Sequence, residues 1–355
     1  MEMLSETLCI SPECTVHQAV KAIDAGGKKM IFITDDQGIL KGIFTDGDMR
    51  RYMLSQGNFS VPVAEVMNHT PFTYPVEKRE EALALMTREK YIGIPLVDAR
   101  GKLVDGIFWN DVSGEIPIHP FSKPYPVIMM AGGKGTRLYP YTKILPKPLI
   151  PIGEIPIAEH IINRFHAYGS EEFHLIINYK KNMIKAYFND LPRRYQVNYV
   201  EETDFLGTGG GLSLLKGIIH ETAILTNCDI LLDCDYSCIY DYHRASGNVI
   251  TIVSAIKNVT MPYGVIHMKE DGQIVAMEEK PEFSHLVNTG IYFIEPRVIE
   301  EMEDNRFVGM PDVAEEYIKK GLKVGTYPIS ENSWMDMGEI EQMNQMVERL
   351  NPLQG

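Results

Sequence analysis

The 355-residue sequence has no apolar stretch approaching the roughly 18 residues that a membrane-spanning helix needs. Its first residues carry neither a basic segment nor an apolar one of the kind that directs secretion. Export and membrane spanning are not expected, and a cytoplasmic location is. The five cysteines, Cys9, Cys14, Cys228, Cys234 and Cys238, form no Cys-x-x-Cys pair, and their odd number argues against a disulfide framework. Basic blocks are missing too. The net charge is -14, with the acidic excess spread over residues 1–122 and over the remainder. Neither part offers the counterion release on which nucleic-acid or membrane-surface binding rests. Also absent are two familiar phosphate signatures, Gly-x-x-x-x-Gly-Lys-Ser/Thr and Gly-x-Gly-x-x-Gly opening a helix.

A different glycine-rich turn is present. Residues 126–131 form an apolar run that reads as a buried strand, and it empties into Ala131-Gly132-Gly133-Lys134-Gly135-Thr136-Arg137-Leu138. Glycines there let a phosphate approach backbone N–H groups that side chains would otherwise screen. Arg137 adds a planar fork of donors, and Lys147, held between Pro146 and Pro148, adds a point charge. The pattern is a triphosphate cradle. In so acidic a chain, positive charge must be concentrated locally, and a divalent metal is expected to assist.

The chain is long enough for two or three separately cored domains, and two are expected. Residues 1–115 contain an internal repeat of about 60 residues. Gly42-Ile43-Phe44-Thr45-Asp46-Gly47-Asp48 in the first half corresponds to Gly106-Ile107-Phe108-Trp109-Asn110-Asp111 in the second, each after a strand and an Asp/Gly turn. Amphipathic helices are predicted ahead of each, over 16–25 and 78–90. Residues 114–125 hold three prolines and no hydrophobic periodicity, which reads as a semi-rigid linker. The expected boundaries are 1–115 (repeats of about 1–60 and 61–115), 116–124 as linker and 125–350.

Beyond the linker, strands predicted at 126–131, 172–178, 196–201 and 223–227 alternate with helices at 157–168, 182–188 and 212–217. Such alternation indicates βαβ units and a doubly wound, mostly parallel α/β sheet, with ligand chemistry at the carboxyl ends of its strands. The glycine-rich turn, Asn178 and Asp229 all fall at those ends.

The N-terminal repeat resembles a CBS domain pair, an α+β module that commonly holds an adenosine nucleotide in its cleft. The resemblance assigns Thr45 and Asp48 to the ribose. The second repeat lacks the hydroxyl, so only Asp111 is left to serve there. A pure packing or oligomerisation role is the alternative, and a homo-oligomer is expected.

The glycine-rich turn followed by Pro146-Lys147-Pro148 resembles the sugar-1-phosphate nucleotidylyltransferases, which have the nucleotide-diphospho-sugar transferase fold. That likeness implies that Ala131, Gly132, Gly133, Gly135 and Thr136 surround the triphosphate, with Arg137, Lys147 and Asp229 catalytic. Leu206-Gly207-Thr208-Gly209, preceded by Glu202, resembles the segment lying against base and ribose; by itself the three-glycine run reads as a flexible loop. Thr226-Asn227-Cys228-Asp229 and Trp334-Met335-Asp336-Met337-Gly338 resemble two segments whose aspartates, Asp229 and Asp336, share Mg²⁺. Cys228 stands where relatives have glycine, a change that a hard cation ignores. Asp233 and Asp235 remain alternative ligands, and Asp336 doubles as a candidate N-cap for a helix over 339–350. Tyr263-Gly264-Val265, Glu278-Glu279-Lys280-Pro281 and Asn288-Thr289-Gly290-Ile291-Tyr292 resemble the sugar-phosphate elements. They assign Gly264, Glu279, Lys280, Asn288 and Thr289 to the acceptor, although a bare Glu-Lys pair is usually a surface ion pair.

The resemblance implies in-line transfer of a nucleoside monophosphate from an NTP, with GTP the first choice, to a sugar 1-phosphate, as in nucleotide-sugar biosynthesis. The C-terminal β-helix of some relatives has no counterpart after Leu350, so a second acyl-transfer activity is not expected. A cytidylyltransferase acting on a non-sugar phosphate and an inactive nucleotide sensor are the alternatives. Because every phosphate and sugar residue lies beyond the linker, a chain starting near Lys123 is expected to keep the chemistry.

Overall fold

The computed structural model describes residues 6–55, 59–113 and 118–350. Each N-terminal repeat forms a three-stranded sheet with flanking helices. In the first, Cys9–Ile10 runs parallel to Met30–Thr34, which pairs antiparallel with Leu40–Thr45. In the second, Tyr74–Pro75, Gly93–Val97 and Leu103–Phe108 repeat that order. The predicted amphipathic helices are Val16–Gly26 and Arg79–Glu89. Val16 starts its helix because Thr15 and Gln18 form a reciprocal capping box, and Gly27 ends it at φ 62°, a left-handed conformation natural to glycine. Val16, Ala19, Val20 and Ile23 are its buried face.

The two repeats pack on each other through Phe32 and Phe108, whose ring centroids are 5.6 Å apart. Gly106 is required there, since a Cβ would lie 2.6 Å from the Phe32 ring. The linker predicted ahead of the second domain lies partly outside the described residues, at 114–117; residues 118–126 carry no helix or strand.

The larger domain is built on a seven-stranded sheet in the order Gln196–Glu201, Glu172–Ile177, Val127–Met130, Ala223–Asn227, Glu282–Ile294, Ile250–Thr260, Val324–Ile329. The first four strands are mutually parallel, as the βαβ alternation predicts. Glu282–Ile294 runs antiparallel to both its neighbours, because the chain leaves Ile250–Thr260 through a small ribbon, Val265–Met268 with Ile274–Glu278, and returns without a crossover helix. The unbroken apolar run of Val127–Met130 follows from burial on both faces: Val127 and Met129 enter one core cluster, Ile128 and Met130 the other. The helix predicted over 212–217 is instead a helical turn at Gly207–Gly210 followed by a 3-10 turn at Gly211–Leu215. Glycine at four of the five positions 207–211 leaves too little helix propensity to extend it.

The domains are in contact. Ile256, from the sheet of the larger domain, is buried within the core of the first repeat beside Phe108. The Arg50 guanidinium lies 4.4 Å from the centre of the Tyr327 ring.

Candidate active site

Four parallel strands end at one side of the sheet, and a cavity of 270 Å³ opens there. Gly132, Gly133, Gly135, Thr136, Arg137, Lys147, Glu202, Thr208 and Asp229 line it, together with Phe205, Asn227, Cys228 and Gly338. The glycine-rich turn leaves the Val127–Met130 strand after Ala131, whose N–H is already spent on the Ile176 carbonyl at 2.8 Å. Ala131 is buried and does not line the cavity, which corrects its expected place against the phosphates. Gly135 takes φ 62°, and a Cβ on it would press on Thr142 and Lys147 at 3.0 and 3.1 Å. The Thr142 hydroxyl fixes the turn by donating to the Gly135 carbonyl at 2.8 Å.

Asp229 follows the Ala223–Asn227 strand, and its carboxylate is in contact with the Lys147 ammonium, both side chains nearly buried. Asp336, roughly a hundred residues later, is brought to the same place by a short ribbon in which Ile230–Leu232 pairs antiparallel with Trp334–Asp336, Ile230 opposite Asp336. The Met337 N–H closes that ribbon on the Asp229 carbonyl at 2.9 Å. Burial, and then the nearby Asp229 carboxylate, push the Asp336 carboxyl up to about 6; Lys147 and Arg137 oppose the shift. Asp336 lies in the strand itself, and the C-terminal helix starts only at Ile340, so the capping role weighed for it does not apply. Asp233 points to a different neighbour, Lys29, and Asp235 caps the Tyr236–Ser246 helix, so neither takes the place of Asp229. The buried Cys228 thiol is pushed up to about 12 by burial, which leaves it protonated and inert.

These residues suit a hard divalent cation. Among the described residues no cluster of three or more His, Cys, Asp or Glu has metal-binding geometry. The protein therefore contributes two carboxylates, and substrate phosphates would complete the coordination. A partly buried carboxylate without an ion-pair partner among the described residues, beside a second carboxylate, is the observation that fits.

Glu202 was expected beside the base and does lie in the cavity wall. Its side chain is buried, which raises its carboxyl above the usual range. Oε1 accepts weakly from the Leu206 N–H at 3.4 Å, while Oε2 has no hydrogen-bond partner. Gly132 and Gly211 are glycines for its sake, since a Cβ on either would come within 2.6 and 2.8 Å of this carboxylate.

The glycines of the 207–210 segment lie against another part of the chain. Cβ atoms at Gly207 and Gly210 would meet the Val308 and Arg306 carbonyls at 2.6 and 2.0 Å, and at Gly209 the Val313 side chain at 2.9 Å. These glycines admit another stretch of this chain. Of Gly207, Thr208 and Gly209 only Thr208 lines the cavity, and its hydroxyl accepts from the Met310 N–H at 3.1 Å. Phe205 was missed. It is exposed at the cavity mouth with its ring centroid 6.0 Å from that of Phe307, and the one available signal was an aromatic residue two positions ahead of the glycine turn.

None of the expected acceptor residues lines this cavity. Gly264, Glu279 and Lys280 are exposed on the small ribbon and its exit, with the Glu279 carboxylate beside Gly264. Thr289 is buried and donates to the Val253 carbonyl at 2.8 Å, where the register of two strands shifts. It braces the sheet at that point. Asn288 accepts from the Gly290 N–H at 2.9 Å and donates to the Tyr292 hydroxyl. In the N-terminal pair, Thr45 and Asp48 do meet: the Thr45 hydroxyl donates to Asp48 Oδ2 at 2.7 Å, and Arg51 holds the other oxygen. Asp111 is paired with Lys28 across the repeats.

Residues 126–351 match the model of a family described as nucleotidyl transferase, and residues 2–55 and 63–108 match that of the CBS domain. Among curated proteins, a mannose-1-phosphate guanylyltransferase of Mycobacterium tuberculosis is 32% identical over 220 residues, covering 60% of this chain and 61% of its own. A bifunctional protein GlmU of Methanococcus aeolicus is 32% identical over 60% of this chain and 51% of its own. A UTP–glucose-1-phosphate uridylyltransferase of Synechocystis is 28% identical over 60% of each chain. The match thus spans between about half and three fifths of these relatives' length. Two solved structures share the fold: HddC from Yersinia pseudotuberculosis (TM-score 0.50, 22% identity, 64% of this chain and 99% of that one) and a putative glucose-1-phosphate thymidylyltransferase from Bacillus anthracis (TM-score 0.51, 21% identity, 63% and 94%).

Proposed function

Since the chain belongs to the nucleotidyl transferase family, we propose that it transfers a nucleoside monophosphate from an NTP to a sugar 1-phosphate and releases pyrophosphate. The observation that carries this reading is the meeting of Asp229 and Asp336 on one ribbon beside the glycine-rich turn, Arg137 and Lys147. The acceptor phosphate oxygen attacks the α-phosphorus as the bond to pyrophosphate breaks. The nucleophile is already an anion, so no general base is needed, and the task is to bring two anions together in line. Arg137 and Lys147 face the phosphate groups and the charge that gathers on the leaving pyrophosphate. Glu279 and Lys280, exposed just past the ribbon, would meet the incoming sugar phosphate. A divalent cation, Mg²⁺ in our reading, held by Asp229 and Asp336 would neutralise the α-phosphate oxygens. With Asp229 engaged by a cation, Lys147 would be free to pair with phosphate instead.

The names of the relatives include both guanylyl and uridylyl transfer, so kinship alone leaves the base open. Glu202 supports GTP. An ionised carboxylate only accepts, and guanine presents two adjacent donors, N1–H and the 2-amino group, on one edge. Uracil, cytosine and adenine each put an acceptor where one of those donors would be. Oε2, buried and without a partner, would supply the second acceptor once the carboxylate turns towards the cavity. An adenine nucleotide is the expected occupant of the CBS cleft, beside Thr45, Asp48 and Asp111. The test of the whole reading is a pyrophosphate-release screen of four NTPs against a panel of sugar 1-phosphates. Release should require NTP, acceptor and Mg²⁺ together and be fastest with GTP; equal release from NTP alone marks a pyrophosphohydrolase.

A further inference from the structure

The ribbon that carries the two carboxylates has only three residues in each strand. A two-stranded ribbon of that length does not hold its own geometry. One end is closed by Met337 on Asp229; the other ends where the Asp233 N–H donates to the Ser333 carbonyl at 2.8 Å. What lies beyond that end belongs to the first CBS repeat. The Lys29 ammonium donates to the Asp233 carbonyl at 2.5 Å and pairs with its carboxylate at 2.8 Å. From the opposite strand's side, the Asn332 amide donates to the Asp24 carbonyl at 2.7 Å.

Lys29 is mostly buried, at 16% exposure of its side chain, and takes φ 58°, a left-handed conformation unfavourable for lysine. Such a residue persists where its surroundings hold it. Its own carbonyl is tied to the Asp46 N–H at 3.2 Å, the first residue of the Asp46–Ser55 helix. Leu231, Leu232 and Met335 anchor the faces of the ribbon in the core of the larger domain, while its open end borders a cavity of 540 Å³ lined by Asp24, Lys29, Asp233, Asn332 and Arg349.

We propose that Lys29 is a positioning residue for the transfer reaction: by holding both the main chain and the carboxylate of Asp233, it sets the spacing of Asp229 and Asp336 and so their affinity for a divalent cation. The inference rests on the reading of those two aspartates as the cation pair. It replaces the expectation that the N-terminal pair is dispensable, because the first CBS repeat becomes part of the frame of the active site. It also supplies a route for regulation, since any movement of that repeat against the ribbon reaches the carboxylates within four residues of chain.

The experiment uses the full chain and Mn²⁺ alone, followed by the electron paramagnetic resonance of the free ion, together with the Mg²⁺ concentration for half-maximal pyrophosphate release. Lys29→Met should weaken Mn²⁺ binding and raise the Mg²⁺ requirement roughly tenfold, the scale on which supporting residues act at metal sites. Lys29→Arg should recover most of the loss. Lys41→Met, which removes the same charge elsewhere in the repeat, should match the wild type. Asp233→Ala, which removes the ion pair from the other side, should shift both readouts in the same direction and keeps the test decisive if Lys29→Met does not fold. A Lys29→Met or Asp233→Ala protein that melts earlier yet binds Mn²⁺ like the wild type overturns the proposal. If wild type binds Mn²⁺ no better than Asp229→Asn, the cation pair itself is wrong and the proposal falls with it. Wild-type Mn²⁺ binding that depends on Asp229 but not on Lys29 refutes the proposal alone.

Discussion

Asp229 and Asp336 share one proposed cation, yet without that cation their environments differ, and substituting them should move stability in opposite directions. The Asp336 carboxyl is raised from 3.8 to about 6. At about 1.4 kcal/mol per unit this corresponds to roughly 3 kcal/mol, and its partial exposure reduces that to about 1–2 kcal/mol. The folded state holds the Asp336 proton more tightly than the unfolded chain. Its contribution is therefore fully present below about pH 4 and is lost as pH rises through about 6. Asp336→Asn stays neutral at every pH. It should be more stable than wild type by about 1–2 kcal/mol at pH 8, a rise of roughly 2–8 °C in the melting of the larger domain, and no more stable at pH 4. Asp229→Asn instead strands the nearly buried Lys147 ammonium and should cost about 2–4 kcal/mol. Both variants should lose roughly a hundredfold or more in pyrophosphate release. The double variant should be scarcely slower than either single one, as expected of two residues acting through one ligand. Scanning calorimetry with a chelator at pH 4 and pH 8, followed by turnover with Mg²⁺, tests all of this. Asp336→Asn protein that melts earlier than wild type at pH 8, or either single variant with near-full turnover across a Mg²⁺ titration, would refute the reasoning.

Glu202→Gln replaces one acceptor oxygen with a donor, and kcat/KM for GTP should fall about 10- to 100-fold, the worth of one or so charge-assisted hydrogen bonds, while UTP gains relative to GTP. A panel of NTPs on the purified variant decides it, and an unchanged order of preference would count against the base-reading role. Gly210→Ala should prevent stable folding, because its Cβ would sit 2.0 Å from the Arg306 carbonyl; a soluble variant with wild-type melting would show that the segment can yield. Asp24, at the domain boundary, is raised to about 7 by burial and by the Asp46 and Glu331 carboxylates. Wild-type stability should decline as pH rises through about 7, and Asp24→Asn should flatten that decline, as thermal melts from pH 5 to 8 would reveal.

The larger domain was legible wherever its chemistry is local. The strands at 196–201 and 223–227 occur as predicted, since each is a short apolar or alternating run with a turn behind it. Resemblance supplied the partnership of Asp229 with Asp336, which no local pattern carries. The glycines at 207, 209 and 210 approach the chain at 306–313, a hundred residues away, which no local pattern could show. Glycine announces a close approach without naming what approaches. Thr289 is a similar case: its hydroxyl donates to Val253, where the register of the neighbouring strand shifts, and no local pattern shows that. The contact of Lys29 with Asp233 joins two domains, and neither sequence segment contains any trace of the other.

The pairing of Ile230–Leu232 with Trp334–Asp336 also dictates when the site can exist. A nascent chain emerges from its amino end, so the glycine-rich turn, Lys147 and Asp229 are all in place long before Asp336 has been synthesised. Closing a loop of that length carries an entropic penalty that local helices and hairpins escape, and such contacts form slowly. Divalent-cation affinity is therefore a property that arrives late on the folding pathway. Its time course in a refolding experiment would report the last long-range closure of this domain.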